Sequence, residues 1–180
     1  LKAIRVASYL AASDLLRREA GLWDVIVVLG REAELNPLVA ETTQRHLVLR
    51  FDDIEFPVQG QQHVTSTHIQ QALAFAKNSE NLLVTCRAGQ SRSVALAFVL
   101  NCQHFGLLSA TEMLNPRRHV PNQLLIHEAA LWLDRPDMED AFHAWRARNA
   151  HIVLSDYYDE ISDEVDALEA SGVVNQVSVD

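Results

Sequence analysis

The sequence predicts an α/β fold: a mostly parallel central sheet of four to five strands, flanked by helices. Three observations carry this. Short apolar, β-prone runs (AIRVASY, DVIVVL and HLVLRF at 3–9, 24–29 and 46–51) alternate with stretches of helical period, the pattern of strand–helix–strand units. DVIVVL has no polar alternation after its first residue, as a strand buried on both faces requires. From about residue 91 the chain reads as successive helices, which supply the cover such a sheet needs.

The elements follow in order. After the strand 3–9, Ser13 is expected to cap a short helix running through Leu16 to Ala20, closed by Gly21. The strand 24–29 follows, and residues 31–45 carry no decisive period. His46–Phe51 ends at the pair Asp52-Asp53. Pro57 and Gly60 mark a loop. Ser66 or Thr67 then caps a helix whose Ile69, Ala72, Leu73 and Ala76 recur at helical spacing, with Asn81 as its breaker. Residues 82–85 form the next strand. An apolar helix spans 91–105 and stops at Gly106, and a shorter one capped by Ser109 runs to about Arg117. Two prolines restrain NPRRHVPN before the helices expected at 122–133 and 137–149. Trp132 and Trp145 fall at core spacing.

The 180 residues suit one compact unit, expected at 1–150, followed by an acidic segment over 151–180. Charge divides the same way. From Ser155 onward there are eight acids and no base, which leaves sixteen acids against all fifteen Lys and Arg in residues 1–154. In the tail, Tyr157, Tyr158, Ile161, Val165 and Leu168 share one helical face, with Ser155 and Gly172 as candidate ends. A near-neutral body with an acidic tail argues against nucleic acid as partner and against anionic membranes. The opening residues predict no secretory leader, and no apolar run reaches a membrane span. Two cysteines, Cys86 and Cys102, make no disulfide framework, so a reducing, cytoplasmic setting is expected. No HxxxH or HExxH pair is present among the histidines, and neither a metal nor a cofactor is expected. Oligomeric state is not legible.

The chemistry concentrates at LVTCRAGQSRSVALAFVL, 83–100. A strand stops at Cys86, five residues intervene, and Arg92 stands where a helix begins. If Arg87, Ala88, Gly89, Gln90 and Ser91 curl around a point, their amides form an anion nest. Gly89 permits the conformation that such a curl needs. The helix adds its positive end, and Arg92 a planar fork suited to two phosphate oxygens. Cys86 then lies at the floor of the cup. A free thiol ionises near ~8.5, so becoming mostly thiolate takes about 3.4 kcal/mol of differential stabilisation. A helix terminus contributes roughly 0.3–2 kcal/mol of this, and the nest and Arg92 are left to supply the remainder. Cys102, inside the apolar helix, reads as an inert core thiol.

VTCRAGQSRS resembles the Cys-x5-Arg-Ser/Thr signature of cysteine-dependent protein tyrosine phosphatases, in the AGxSRS form of the dual-specificity branch. Cys86, Gly89, Arg92 and Ser93 all fall on it. Pro121-Asn122 resembles the Pro-Asn element whose asparagine supports the phosphate loop in that branch. The likeness covers roughly residues 1–135. It implies a phosphomonoester hydrolase, acting on phosphoprotein or another phosphomonoester through a cysteinyl-phosphate on Cys86. Arg92 and the loop amides would hold the equatorial oxygens, Ser93 would assist the leaving thiolate, and an aspartate would act as acid and then base. In that branch the aspartate precedes the cysteine by about thirty residues. Asp53, 33 residues ahead, is the first choice and Asp52 the alternative.

Thr85 stands where the family normally has histidine, and this keeps open a second reading: a catalytically weak, phosphate-binding pseudophosphatase. Rhodanese-type cysteine loops usually hold one residue fewer. Lipid phosphatases of the superfamily usually carry lysine at the position of Gln90.

Overall fold

A computed structural model describes residues 1–151. Residues 152–180, and with them the acidic tail and its expected helix, lie outside the described residues. Four strands form one sheet, β1 (Ala3–Ser8), β2 (Asp24–Leu29), β3 (His46–Arg50) and β4 (Asn81–Cys86), in the order β1-β4-β2-β3 and all parallel. The expected sheet is thus present at the lower strand count. Among the described residues seven helices cover it: α1 (Tyr9–Arg18), α2 (Pro37–Thr42), α3 (Ser66–Lys77), α4 (Arg92–His104), α5 (Leu107–Glu112), α6 (Gln123–Leu133) and α7 (Pro136–Arg148).

Alternation along the strands assigns the two cores. Ile26, Val28, Leu82, Val84 and Cys86 face the large cluster formed with α3, α4, α6 and α7. Val25, Val27, Leu29 and Leu83 face a smaller one under α1 and α2. α4 is buried from Arg92 through Cys102, because it lies on the sheet and is itself covered by α5 and α6. A helix apolar all round suits only such a position. Burial pushes the Cys102 thiol up to about 12, so it stays a thiol at neutral pH. β4 is inserted between β1 and β2 after the chain has built β3. The crevice at the carboxyl ends of such strands is where ligands bind in open parallel sheets, and Cys86 is there.

Several ends differ from expectation. α1 begins directly after β1, capped by Ser8, whose Oγ accepts from the Ala11 amide at 3.1 Å. Burying Tyr9, Leu10 and Ala12 favours this early start. Ser13 is interior, its hydroxyl donating back to the Tyr9 carbonyl at 2.9 Å, a bond available to serine inside a helix. α3 is capped by Thr65, not Ser66 or Thr67. Asn81 opens β4 rather than interrupting the chain, because it is paired opposite Ala3. α5 starts at Leu107, directly after Gly106, whose φ of +88° turns the chain, and Ser109 lies within it. The undecided stretch 31–45 holds α2, capped by the Asn36 side chain at 2.9 Å with Pro37 in the first position. Trp145 is buried beside Phe142, while Trp132 is 43% exposed. The period that placed both tryptophans identifies a face but not what covers it.

Candidate active site

The loop after β4 forms a hollow of about 210 Å³ lined by Asp53, Cys86, Arg87, Ala88, Gln90, Ser91 and Arg92. Cys86 is at its floor, 2% exposed. Its Sγ lies 3.0 Å from the Ser93 hydroxyl on the first turn of α4, within reach for a hydrogen bond to sulfur in either protonation state. The amides of Ala88, Gly89, Gln90 and Ser91 donate to no backbone carbonyl among the described residues. A bound oxyanion would satisfy them. The Gln90 side chain is 8% exposed, and its Nε2 has no hydrogen-bond partner. It is a donor that a substrate oxygen in the same hollow would serve.

Backbone anchors hold the loop in shape. Tyr9 N–H donates to the Arg87 carbonyl at 3.3 Å, and Val120 N–H to that of Gln90 at 3.0 Å. Gly89 adopts φ +65°, and a Cβ there would lie 2.4 Å from the Ser8 nitrogen and 2.6 Å from the Ala7 carbonyl carbon. The glycine is therefore required twice, by its left-handed backbone and by the end of β1 pressed against it. Gly89→Ala is expected to cost about 2–3 kcal/mol, from conformational strain and overpacking against backbone that has little room to yield. Thermal unfolding should show a fall of roughly 4–12 °C. An unchanged midpoint would mean that the loop is not clamped as described.

Arg92 is the buried cation of the site, its side chain 4% exposed. Its Nη1 donates to the Phe51 carbonyl at 2.9 Å, which ties the start of α4 to the end of β3. Its Nε lies 3.6 Å from Asp53 Oδ2. Asp53 is held at the rim from two further directions: its Oδ1 accepts from the Ser91 hydroxyl at 2.7 Å and from Asn122 Nδ2 at 2.8 Å. Asn122 is buried and works in three places. Its Nδ2 also donates to the Ile54 carbonyl at 3.0 Å, its Oδ1 caps α6 by accepting from Leu125 N–H at 2.9 Å, and its own amide reaches the Ser91 carbonyl at 3.4 Å. One residue thus joins the aspartate loop and α6 through its side chain and the phosphate-type loop through its backbone amide.

Asp52 points elsewhere. Its carboxylate accepts from the Arg31 and Gln62 amides at 3.3 and 2.8 Å, and so pins the turn after β2 and closes the loop 52–62. Of the two aspartates, only Asp53 lines the hollow. Thr85 falls on the other face of the sheet from Cys86 and lines a small apolar cavity with Tyr9 and Val27. Arg87 is exposed at the rim. Arg117 lies on an exposed turn, its amide donating to Asn115 Oδ1 at 3.0 Å. The loop's signature residues therefore assemble with Asp53 and Asn122. The Phe51 and Val120 backbone groups that complete the frame carry no side-chain signal in the sequence. Among the described residues no group of three or more histidine, cysteine or carboxylate side chains could hold a metal ion, and no helix is long and apolar enough to cross a membrane.

Comparison with solved structures gives human DUSP28, 20% identical, covering 78% of this chain and 94% of that one at a TM-score of 0.50. DUSP15 is also 20% identical and covers 86% of this chain and 96% of its own at a TM-score of 0.53. At these identities the likeness is one of fold: the chain has the dual-specificity/protein tyrosine phosphatase fold. No family model matches the sequence, and no curated protein does.

Proposed function

We propose that the chain is a cysteine-dependent phosphomonoesterase acting on phosphoproteins, with tyrosine or dual specificity. One juxtaposition carries the reading: a sulfur at the floor of an amide-lined hollow, with a buried guanidinium and a carboxylate at its rim. In the first step Cys86 Sγ bonds to phosphorus as the bond from phosphorus to the leaving oxygen breaks. Asp53 gives its proton to that oxygen. In the second step water attacks phosphorus, Asp53 takes the water proton, and the S–P bond breaks. The Ser93 hydroxyl, 3.0 Å from the sulfur, stabilises the departing thiolate. Arg92 and the loop amides bind the equatorial oxygens where charge accumulates.

A second reading, a phosphate-binding module with little turnover, has its own support. Both Asp53 oxygens already face donors, the arrangement of a latch, and Thr85 faces away from the hollow. Trapping separates the two. Acid quench during reaction with a radiolabelled phosphopeptide should leave label on the peptide containing Cys86. Phosphopeptide binding with neither label nor released phosphate would overturn the enzymatic reading and favour the module.

A further inference from the structure

A hollow of about 370 Å³ lies between the end of α7 and the turn that precedes α6. Phe142, Trp145, Arg146, Asn149 and Ala150 line it. They are spaced at i, i+3, i+4, i+7 and i+8, so one continuous stripe of α7 and the two residues beyond it faces the hollow. Val120 and Pro121 supply apolar surface from the turn, and Glu55 also lines the hollow. Val120 is 37% exposed. The candidate active site adjoins this hollow. The Val120 amide holds the Gln90 carbonyl at 3.0 Å, and Glu55 is two residues beyond Asp53. α7 ends on the basic residues Arg146 and Arg148. The hydrogen bond of Arg146 goes to a neutral acceptor, Gln123 Oε1, at 2.8 Å.

We infer that this hollow is the seat of the chain's own acidic segment, Tyr157–Leu168, which turns back along α7. The inference does not depend on the function proposed above. Position argues first. The chain leaves α7 at the hollow itself, since Asn149 and Ala150 belong to its wall, and residues 152–180 follow from there. Spacing argues second. Tyr157, Tyr158, Ile161, Val165 and Leu168 recur at helical period. Tyr157 to Val165 spans eight residues, as does Phe142 to Ala150, roughly 12 Å at helical rise. Residues 151–156 make a six-residue connection, and antiparallel helices are joined by about 2–8 residues. Charge argues third. Seven acids lie from Asp156 through Glu169, and a chain that turns back brings them past Arg146 and Arg148. A connection this short holds the segment at an effective concentration on the order of millimolar, which favours it over a second copy at micromolar concentration.

The test uses the full chain. Photoreactive benzoylphenylalanine replaces Ile161, the protein is irradiated at low micromolar concentration, and adducts are mapped by mass spectrometry after proteolysis. The principal adduct should join position 161 to a peptide of α7 or of residues 116–121, within one chain and at monomer mobility. Val165→Asp/Leu168→Asp, and separately Val120→Glu/Arg146→Glu, should each lower its yield about fivefold or more, because each sets a carboxylate against the apolar packing or against the acidic segment. The first pair lies outside residues 1–151, so its effect stands even if the second pair loosens α7. The inference fails if no adduct forms, if adducts fall elsewhere on residues 1–151, or if neither pair changes the yield. It fails equally if the adduct runs at dimer mobility, which would make a second copy the occupant. No substrate is present in this measurement, so its outcome is separate from whether Cys86 turns over.

Discussion

Cys86→Ser is expected to lower turnover of any phosphomonoester by about 10⁴-fold or more, with phosphopeptide affinity kept within about threefold. The substitution exchanges one atom at the floor of the hollow and leaves the binding groups in place. The loop stays clamped by Gly89 against β1, Arg92 stays bonded to the Phe51 carbonyl, and the Ser93 hydroxyl stays in reach. What is lost is the nucleophile, since an unactivated hydroxyl has almost no anion at neutral pH. Cys102→Ala is the control. That thiol is buried in α4 and its pKa is pushed up to about 12, so turnover should persist and iodoacetamide should modify Cys86 alone. Turnover that survives in Cys86→Ser would end the covalent mechanism.

Asp53→Asn comes next in size, with an expected fall in kcat of about 10³-fold on substrates with poor leaving groups. The change is close to isosteric. An amide oxygen can still accept from Ser91 and Asn122, as Asp53 Oδ1 does at 2.7 and 2.8 Å. The rim should therefore hold its shape while losing a transferable proton. The loss should be much smaller for p-nitrophenyl phosphate, whose leaving group needs little protonation. This dependence on leaving group distinguishes an acid from a latch, because a latch would affect all substrates alike. Asp52→Asn should leave kcat within about threefold, since Asp52 accepts from the Arg31 and Gln62 amides, away from the hollow. If Asp52→Asn instead shows the leaving-group dependence, the two assignments exchange.

The elements legible beforehand were those in which residues adjacent in sequence decide the outcome. DVIVVL could only be buried on both faces, and β2 spans those residues. The cysteine, glycine and arginine of the loop lie within seven residues, so their geometry follows from one turn between a strand end and a helix start. Helix starts were less legible. Ser8 and Thr65 took the caps expected at Ser13 and at Ser66 or Thr67, because burial of the first turn outweighs a serine's preference for the cap. Trp132 shows the same limit, since a helical period cannot say whether another element arrives to cover a face.

The chain order alone determined that Cys86, Gly89, Arg92 and Ser93 would fall within eight residues at the end of a buried strand, because a strand end and the helix start after it are both set by neighbours in sequence. Only the folded molecule decided that Asp53 rather than Asp52 lines the hollow and that Thr85 faces the opposite core. Those outcomes depend on contacts such as Asn122 to Asp53, 69 residues apart, and Arg92 to Phe51, 41 apart. They arise from the crossing that inserts β4 between β1 and β2, and no local preference encodes which distant side chain that crossing brings alongside.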